Sequence, residues 1–296
     1  MNKSSRGGLL AVLVLAAALI CGLALALHQQ GGSRVLTAED LPAPDGAGLE
    51  LYFFDVGQAD SILVRCGGRS LLVDGGNRDD GPWLVQELSE LGVTALDYIA
   101  CTHPHEDHAG GLAYVANRVP AAQALVSVPQ SDNVWFNDFL AVMGEGRWRP
   151  AQAGEEFSLG DAQVQVLGPL RDYEDVNDSS LVLRIVYGTT AVLLTGDATR
   201  EAERDLVASG CELDADLLKL GHHGSNSSTG YLFLRQVAPT WAVASVGADN
   251  EYGHPGADTL SRLSDAEVTL LRTDELGTIA CFSDGKSLSF SYTGRP

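Results

Sequence analysis

The segment His103-Pro104-His105-Glu106-Asp107-His108 gathers three histidines and two carboxylates within six residues. It follows the apolar run 96–102 and precedes Gly110 and Gly111. Imidazole and carboxylate together suit zinc, manganese or iron, whereas carboxylate alone suits magnesium or calcium. His103 and His105, two apart on an extended loop, can hold one ion, and Asp107 with His108 can hold a second. Burying an adjacent Asp and His without partners would be costly, so a plain core role accounts poorly for them. Gly110 and Gly111 let the chain that follows approach the cluster closely.

Comparable residues recur where other apolar runs finish. Asp197 ends "LLTGD", His222 and His223 end "LLKLGHH", and His254 lies in "NEYGHP" beyond the run 241–247. Plainer readings exist: Asp197 as the cap of the helix after it, and His254 as a loop residue held by Pro255. Joint placement weighs against both, because five of the six histidines after residue 100 fall in two clusters and the sixth also follows a strand end. The carboxyl ends of strands are where α/β sheets present their sites. Two divalent ions roughly 3.5–4 Å apart would lower the pKa of a shared water to near neutral, so that it attacks a phosphoryl or carbonyl centre. A carboxylate such as Asp197 can bridge the ions, and a free histidine can protonate the leaving oxygen.

Short strands and helices must position these loops. Runs at 49–56, 61–66 and 70–76 are rich in β-branched and aromatic residues and broken by glycine, which predicts strands. Leu84, Leu88 and Leu91 share one face of a predicted helix over 82–92. A strand at 95–102, a helix at 108–118 and a strand at 124–128 follow. The second half alternates in the same way, with strands at 162–168, 180–188 and 191–197, a helix at 199–210, a strand entering a loop at 215–223, another at 241–247, and a β-rich tail. Interleaved in this way, they predict an α/β fold, a four-layer αββα sandwich.

The bulk properties set bounds. The chain has 296 residues and a formal net charge of −20, with lysine only at Lys3, Lys219 and Lys286. No basic stripe is visible, which argues against extended, tight binding to nucleic acid. Residues 1–30 read as a signal peptide or a single membrane anchor: Lys3 and Arg6 precede an uncharged run from Leu9 to Leu27. The leading cations orient the rest of the chain outward, so the expectation is a single-pass membrane protein with an extracellular domain, or a secreted one. Residues 31–47, with "GGSR" and "LPAPDGAG", read as a tether, and 48–296 as one domain. Cys66, Cys101, Cys211 and Cys281 form no C-x-x-C pair and read as small buried hydrophobes, although outside the cell a disulfide or two is possible.

At these residues the sequence resembles the metallo-β-lactamase superfamily, since "HPHEDH" is similar to its H-x-H-x-D-H signature. "FFDVGQADSILV", "LLVDGG", "THPHEDHAGGL", "NDSSLVLRI", "LLTGD", "LKLGHHGS" and "YGHP" come in the order found in the metal-hydrolase domain of ComEC-type competence proteins. Phosphorylcholine esterases share part of the set. The resemblance implies a two-metal site, with zinc or manganese, between the halves of the sandwich. His103 and His105 would serve one ion, Asp107 and His108 the other, and Asp197 would bridge. One of His222 and His223 would complete the second ion's set. The other, with His254, would donate a proton or contact substrate, so that Asp107, His223 and His254 are the expected catalytic residues. Asp74 would orient a ligand. Asn177 stands where many members place a metal-binding histidine, which leaves the first ion with fewer strong ligands.

The expected reaction is hydrolysis of a phosphodiester, with single-stranded DNA the substrate that the resemblance favours. A choline or glycerol phosphate ester, as a cell-wall or small-molecule substrate, suits the acidity better. A non-catalytic binding module stabilised by metal is the reading from a different class, and β-lactam hydrolysis fits the flanking motifs poorly. Competence channels carry many membrane spans and this sequence carries one, so a free-standing relative of the hydrolase domain is expected, touching the membrane through its N-terminal segment.

Overall fold

The computed structural model describes residue 41 and residues 43–294. The apolar run 9–27 lies outside the described residues. Among those described, no helix is long and apolar enough to cross a membrane.

The first half opens with an antiparallel meander, β1 (Leu49–Phe53), β2 (Ile62–Cys66) and β3 (Arg69–Val73). Parallel neighbours β4 (Leu96–Cys101), β5 (Ala121–Val126) and β6 (Trp148–Pro150) continue the sheet. The second half repeats the plan. Antiparallel β7 (Glu156–Leu159), β8 (Ala162–Gly168), β9 (Val182–Tyr187) and β10 (Thr190–Leu194) lead into parallel β11 (Leu217–Lys219), β12 (Trp241–Ala244) and β13 (Thr269–Arg272). The chain then returns to the first sheet with β14 (Ile279–Ser283) and β15 (Leu288–Tyr292). The resulting orders are β15-β14-β1-β2-β3-β4-β5-β6 and β13-β12-β11-β10-β9-β8-β7.

Alternation along the strands builds the layers. Leu49, Leu51 and Phe53 of β1 join Val164, Val166, Leu183, Ile185, Val192 and Leu194 in the core between the sheets. Tyr52 on the opposite face of β1, with Leu63 and Leu72, packs under the helices instead. Helices α1 (Gly81–Glu90), α2 (Glu106–Ala109), α3 (Leu112–Arg118) and α4 (Val134–Met143) accompany the first sheet, and α5 (Arg200–Ser209), α6 (Tyr231–Val237) and α7 (Ala257–Asp265) the second. The architecture is the αββα sandwich that the pattern predicts. Leu41, within the stretch read as a tether, is buried among the residues under α1 and α4.

Two local differences bear on the site. The helix expected over 108–118 is two pieces, α2 and α3, parted at Gly110 and Gly111. A Cβ on Gly111 would meet Gly75 O at 2.1 Å and one on Gly110 the Arg78 N at 2.4 Å, so backbone packing breaks the helix there. The strands expected over 49–56 and 70–76 stop at Phe53 and Val73, because the residues beyond them turn away as site loops. The described cysteines are all free thiols; Cys66, Cys101 and Cys281 are buried and Cys211 is half-buried.

Candidate metal centre

Loops at the carboxyl ends of strands from both sheets converge at one edge of the sandwich. Asp107, His108, Asp197 and His223 each present a ligand atom, all within 4.8 Å of one another. His108 and its neighbours follow β4, Asp197 follows β10, and His223 follows β11. Gly196, at φ +50°, brings the β10 loop against the first half: a Cβ there would lie 3.0 Å from the Thr102 Cβ. The Asp197 N–H donates to Ser180 Oγ (3.0 Å). Capping of α5 falls elsewhere, to Asp178, which accepts the N–H groups of Thr199 and Ala202. That disposes of the cap reading of Asp197.

The two oxygens of Asp197 face different imidazoles. Oδ1 lies 3.3 Å from His108 Nε2 and 3.7 Å from His223 Nε2. Oδ2 lies 3.9 Å from both His103 Nε2 and His222 Nε2. The pair left open by sequence therefore divides. His223 is buried and aims Nε2 at Asp107 Oδ2 (3.3 Å), whereas His222 is 30% exposed and stands on the Oδ2 side. On that side His103 Nε2 and His105 Nδ1 are 3.0 Å apart, close to the spacing of about 3 Å that two nitrogens take when each is roughly 2.0–2.1 Å from one ion. Asn177 lies on the turn just before Ser180, and its Oδ1 is buried without a hydrogen bond.

Hydrogen bonds behind the ligands fix which nitrogen faces inward. Asp74 accepts the Thr102 N–H (2.7 Å), the Thr102 hydroxyl (2.7 Å) and His108 Nδ1–H (2.8 Å). With its one proton given to Asp74, the Thr102 hydroxyl can only accept from His103 Nδ1, 3.3 Å away. His223 Nδ1–H donates to Ser245 O (2.8 Å). With these rings neutral, each Nε2 lone pair would point at carboxylate oxygen, an arrangement that a cation between them, a proton or a metal ion, relieves. His108 Nε2 and Asp197 Oδ1 are buried and make no other hydrogen bond. The residues present fit divalent ions.

Two residues here escaped the sequence reading. Asp60 and Lys219 are fully buried and paired at 2.7 Å, and the Lys219 ammonium also donates to Leu220 O. Asp60 lies 3.9 Å from His108 Nδ1 and 3.7 Å from His223 Nδ1. With Asp74 and His108 it forms a second group able to hold a cation, but the ammonium is already there. The signal was available: Lys219 interrupts the apolar run "LLKL", where a lysine is rarely buried unless paired.

The electrostatics agree. Burial works against charge on every group, yet His108 is held well above its ordinary pKa because Asp197 and Asp74 outweigh it. His223 is raised likewise by Asp197 and Asp60. Despite burial, Asp197 and Asp107 are held below the usual carboxylate range by the facing imidazoles. His103 goes the other way, since burial and His108 keep it neutral. A site that draws protons so strongly draws divalent ions by the same field.

His254 stands at the mouth, its ring 5.7 Å from that of His222. Gln58 Oε1 accepts the Gly247 N–H (3.1 Å), so the Gln58 amide donates to His254 Nδ1 (3.2 Å). The proton of a neutral His254 is thereby placed on Nε2. Burial and the neighbouring histidines push its pKa down to about 4.

The metallo-beta-lactamase superfamily model matches residues 54–247, which span β2 to β12 and the loops that carry His103 to His108, Asp197 and His223, while the His254 turn lies just beyond. The chain belongs to that superfamily. Its likeness to competence proteins is borne out too. It is 32% identical to ComE operon protein 3 of Bacillus subtilis (strain 168) over 255 residues, 78% of this chain and 32% of that one. It is 35% identical to competence protein ComA of Neisseria gonorrhoeae over 228 residues, 76% of this chain and 31% of that one. The chain thus spans about a third of the length of these curated relatives. Among solved structures, CmlA, a diiron beta-hydroxylase from Streptomyces venezuelae, shares the fold at a TM-score of 0.51 and 18% identity, over 78% of this chain and 53% of that one. Family and site together support a metal-dependent hydrolase with room for two ions.

Proposed function

We propose that this chain is a phosphodiesterase that uses two divalent ions, zinc or manganese, and cleaves single-stranded DNA on the outer side of the cytoplasmic membrane. Asp107, His108 and His223 would hold one ion and His103 and His105 the other, with Asp197 facing both groups and His222 beside the second. Such ions would lower the pKa of a water toward neutrality and offset charge on the phosphoryl oxygens. The protein's own groups do the rest. Asp74 and Ser245 fix the inward nitrogens, Asp107 orients the reacting water, and His254, neutral with its proton on Nε2, protonates the leaving oxygen.

The observation that carries this reading is the charge of the site floor. Asp60, Asp74 and Asp197 are buried and Asp107 is half-buried beside them, against one ammonium, Lys219, which pairs with Asp60. Two divalent ions would overshoot the three remaining negative charges by one, a positive charge available to a bound hydroxide or to one phosphodiester anion. The resemblance to the hydrolase domain of competence proteins favours DNA as its source. The chain's net charge of −20 favours a second reading, a small choline or glycerol phosphodiester. Metal analysis of the purified chain decides, combined with assays on bis-p-nitrophenyl phosphate, p-nitrophenylphosphorylcholine, single-stranded DNA and nitrocefin with Mn²⁺ or Zn²⁺. Turnover of the DNA with two bound ions is expected. Turnover of nitrocefin alone, or of nothing with metal bound, would sink the proposal.

A further inference from the structure

Tyr252 is the most exposed large apolar side chain among the described residues, at 74%, yet it is held in place. Its ring lies 5.7 Å from that of His254 with the planes 25° apart. The rings of His222, His254 and Tyr252 thus step from the edge of the metal centre to solvent at equal spacings of 5.7 Å. Asn250 closes the turn that carries them: its amide donates to Gly247 O and His254 O, and its Oδ1 accepts the His254 N–H. Gln58 ties the same turn to the first half. One face of the tyrosine ring is taken up by His254, and the other is presented to solvent on a braced support.

The charge distribution says what that face can do. Arg65, Arg69, Arg149, Arg171, Arg184 and Arg272 are each paired with a carboxylate. A chain of net charge −20 with six of its sixteen arginines so committed is poorly placed to grip a polyanion along its phosphates. Affinity beyond the scissile group must come from uncharged surface, and stacking of a base on an aromatic ring contributes roughly 5- to 150-fold per base without regard to sequence.

We infer that the free face of Tyr252 is a stacking subsite for the nucleobase next to the scissile phosphodiester. The inference rests on the phosphodiesterase reading and adds to it how a strongly acidic protein retains a single strand: by its bases, not by its backbone. The leaving nucleotide then enters under His254, the group whose proton it takes.

The test compares two single strands of about ten nucleotides, oligothymidylate and the same backbone with abasic residues, on the metal-loaded full chain. For oligothymidylate, Tyr252→Ala should raise KM by about 5- to 150-fold while kcat changes far less, and Tyr252→Trp should restore it. The KM penalty should be several-fold smaller on the abasic strand. An equal KM penalty on both strands would overturn the inference. So would a kcat loss shared by both, which would make Tyr252 a support for His254. Bis-p-nitrophenyl phosphate separates the two levels. If the wild type hydrolyses neither it nor DNA, the activity reading fails. The subsite is then judged by fluorescence anisotropy of labelled oligothymidylate: weaker binding by Tyr252→Ala upholds it, and equal binding refutes it.

Discussion

The two sides of Asp197 are built differently. On the Oδ1 side, His108 and His223 are fully buried, and each has its outer nitrogen held by a protein acceptor, Asp74 or Ser245 O. On the Oδ2 side, His105 is exposed and His222 is 30% exposed, its Nδ1 meeting only the exposed Ser227 hydroxyl at 3.4 Å. His103 alone is buried there. Ligands already oriented lose little freedom on binding, so the enclosed side is a tight site and the open side a loose one. The open side also faces His254 and Tyr252. An ion held there would be the more easily displaced of the two.

The largest effect should come from removing what the two sides share. Asp197→Ala should lose both ions and about 1000-fold or more of turnover, which corresponds to roughly 4 kcal/mol. Metal analysis after dialysis checks this. Retention of a full ion on the enclosed side would mean that Asp107, His108 and His223 suffice, and that the sharing is dispensable.

Next comes the floor beneath the enclosed side. Lys219→Met leaves the Asp60 carboxylate buried and unpaired, which should destabilise the metal-free protein by about 3–5 kcal/mol. The same substitution makes the site more negative, so added Zn²⁺ should raise the melting temperature by more than it does in the wild type. Equal metal-induced shifts would mean that the ammonium is too well screened to matter.

How far this difference could be read in advance depends on the residue. Alternation and glycine breaks made the sandwich legible, and His103 to His108 declared themselves because no core role suits such neighbours. The division between His222 and His223 was not legible: both adopt left-handed backbone, at φ 49° and 53°, and only the turn around them decides which ring goes in. Asp60 was hidden in a strand-entry run whose partner lies 159 positions away, a separation no local pattern reports. Helix α4 was missed since "VWFNDFLAVM" is apolar nearly all round and shows little periodicity. Edge strands β6 and β7, of three and four residues, are too short for a period of two to stand out.

Glu203 sharpens the comparison from the open side. Its carboxylate accepts the N–H groups of Thr229 and Gly230, on the loop that continues from His222. Burial pushes its pKa up to about 7. Raised above its unfolded value, it binds a proton in the folded state between about pH 4.5 and 7 that the unfolded chain does not. Its contribution is therefore greatest at low pH and is lost as pH rises through 7, by about 2–3 kcal/mol between pH 5 and pH 8. Urea unfolding at pH 5 and pH 8 should show Glu203→Gln gaining on the wild type by that amount at the higher pH. A constant difference between the two proteins would mean that Glu203 titrates normally.

The smallest effects set the two sides directly against each other. Asp74→Ala removes the acceptor that turns His108 inward and, through Thr102, His103. Loss of such an acceptor weakens metal binding by about 10- to 100-fold. Because His108 is the ring it touches directly, the tighter of the two binding steps should carry the loss. His105→Ala leaves the Asp74 network whole and should abolish only the weaker step, with the tighter one changed less than about threefold. Calorimetric titration of the metal-free variants with Zn²⁺ resolves the two steps. If His105→Ala struck the tighter step and Asp74→Ala the weaker, exposure and bracing would not govern affinity here, and the ion at the open mouth would be the resident one.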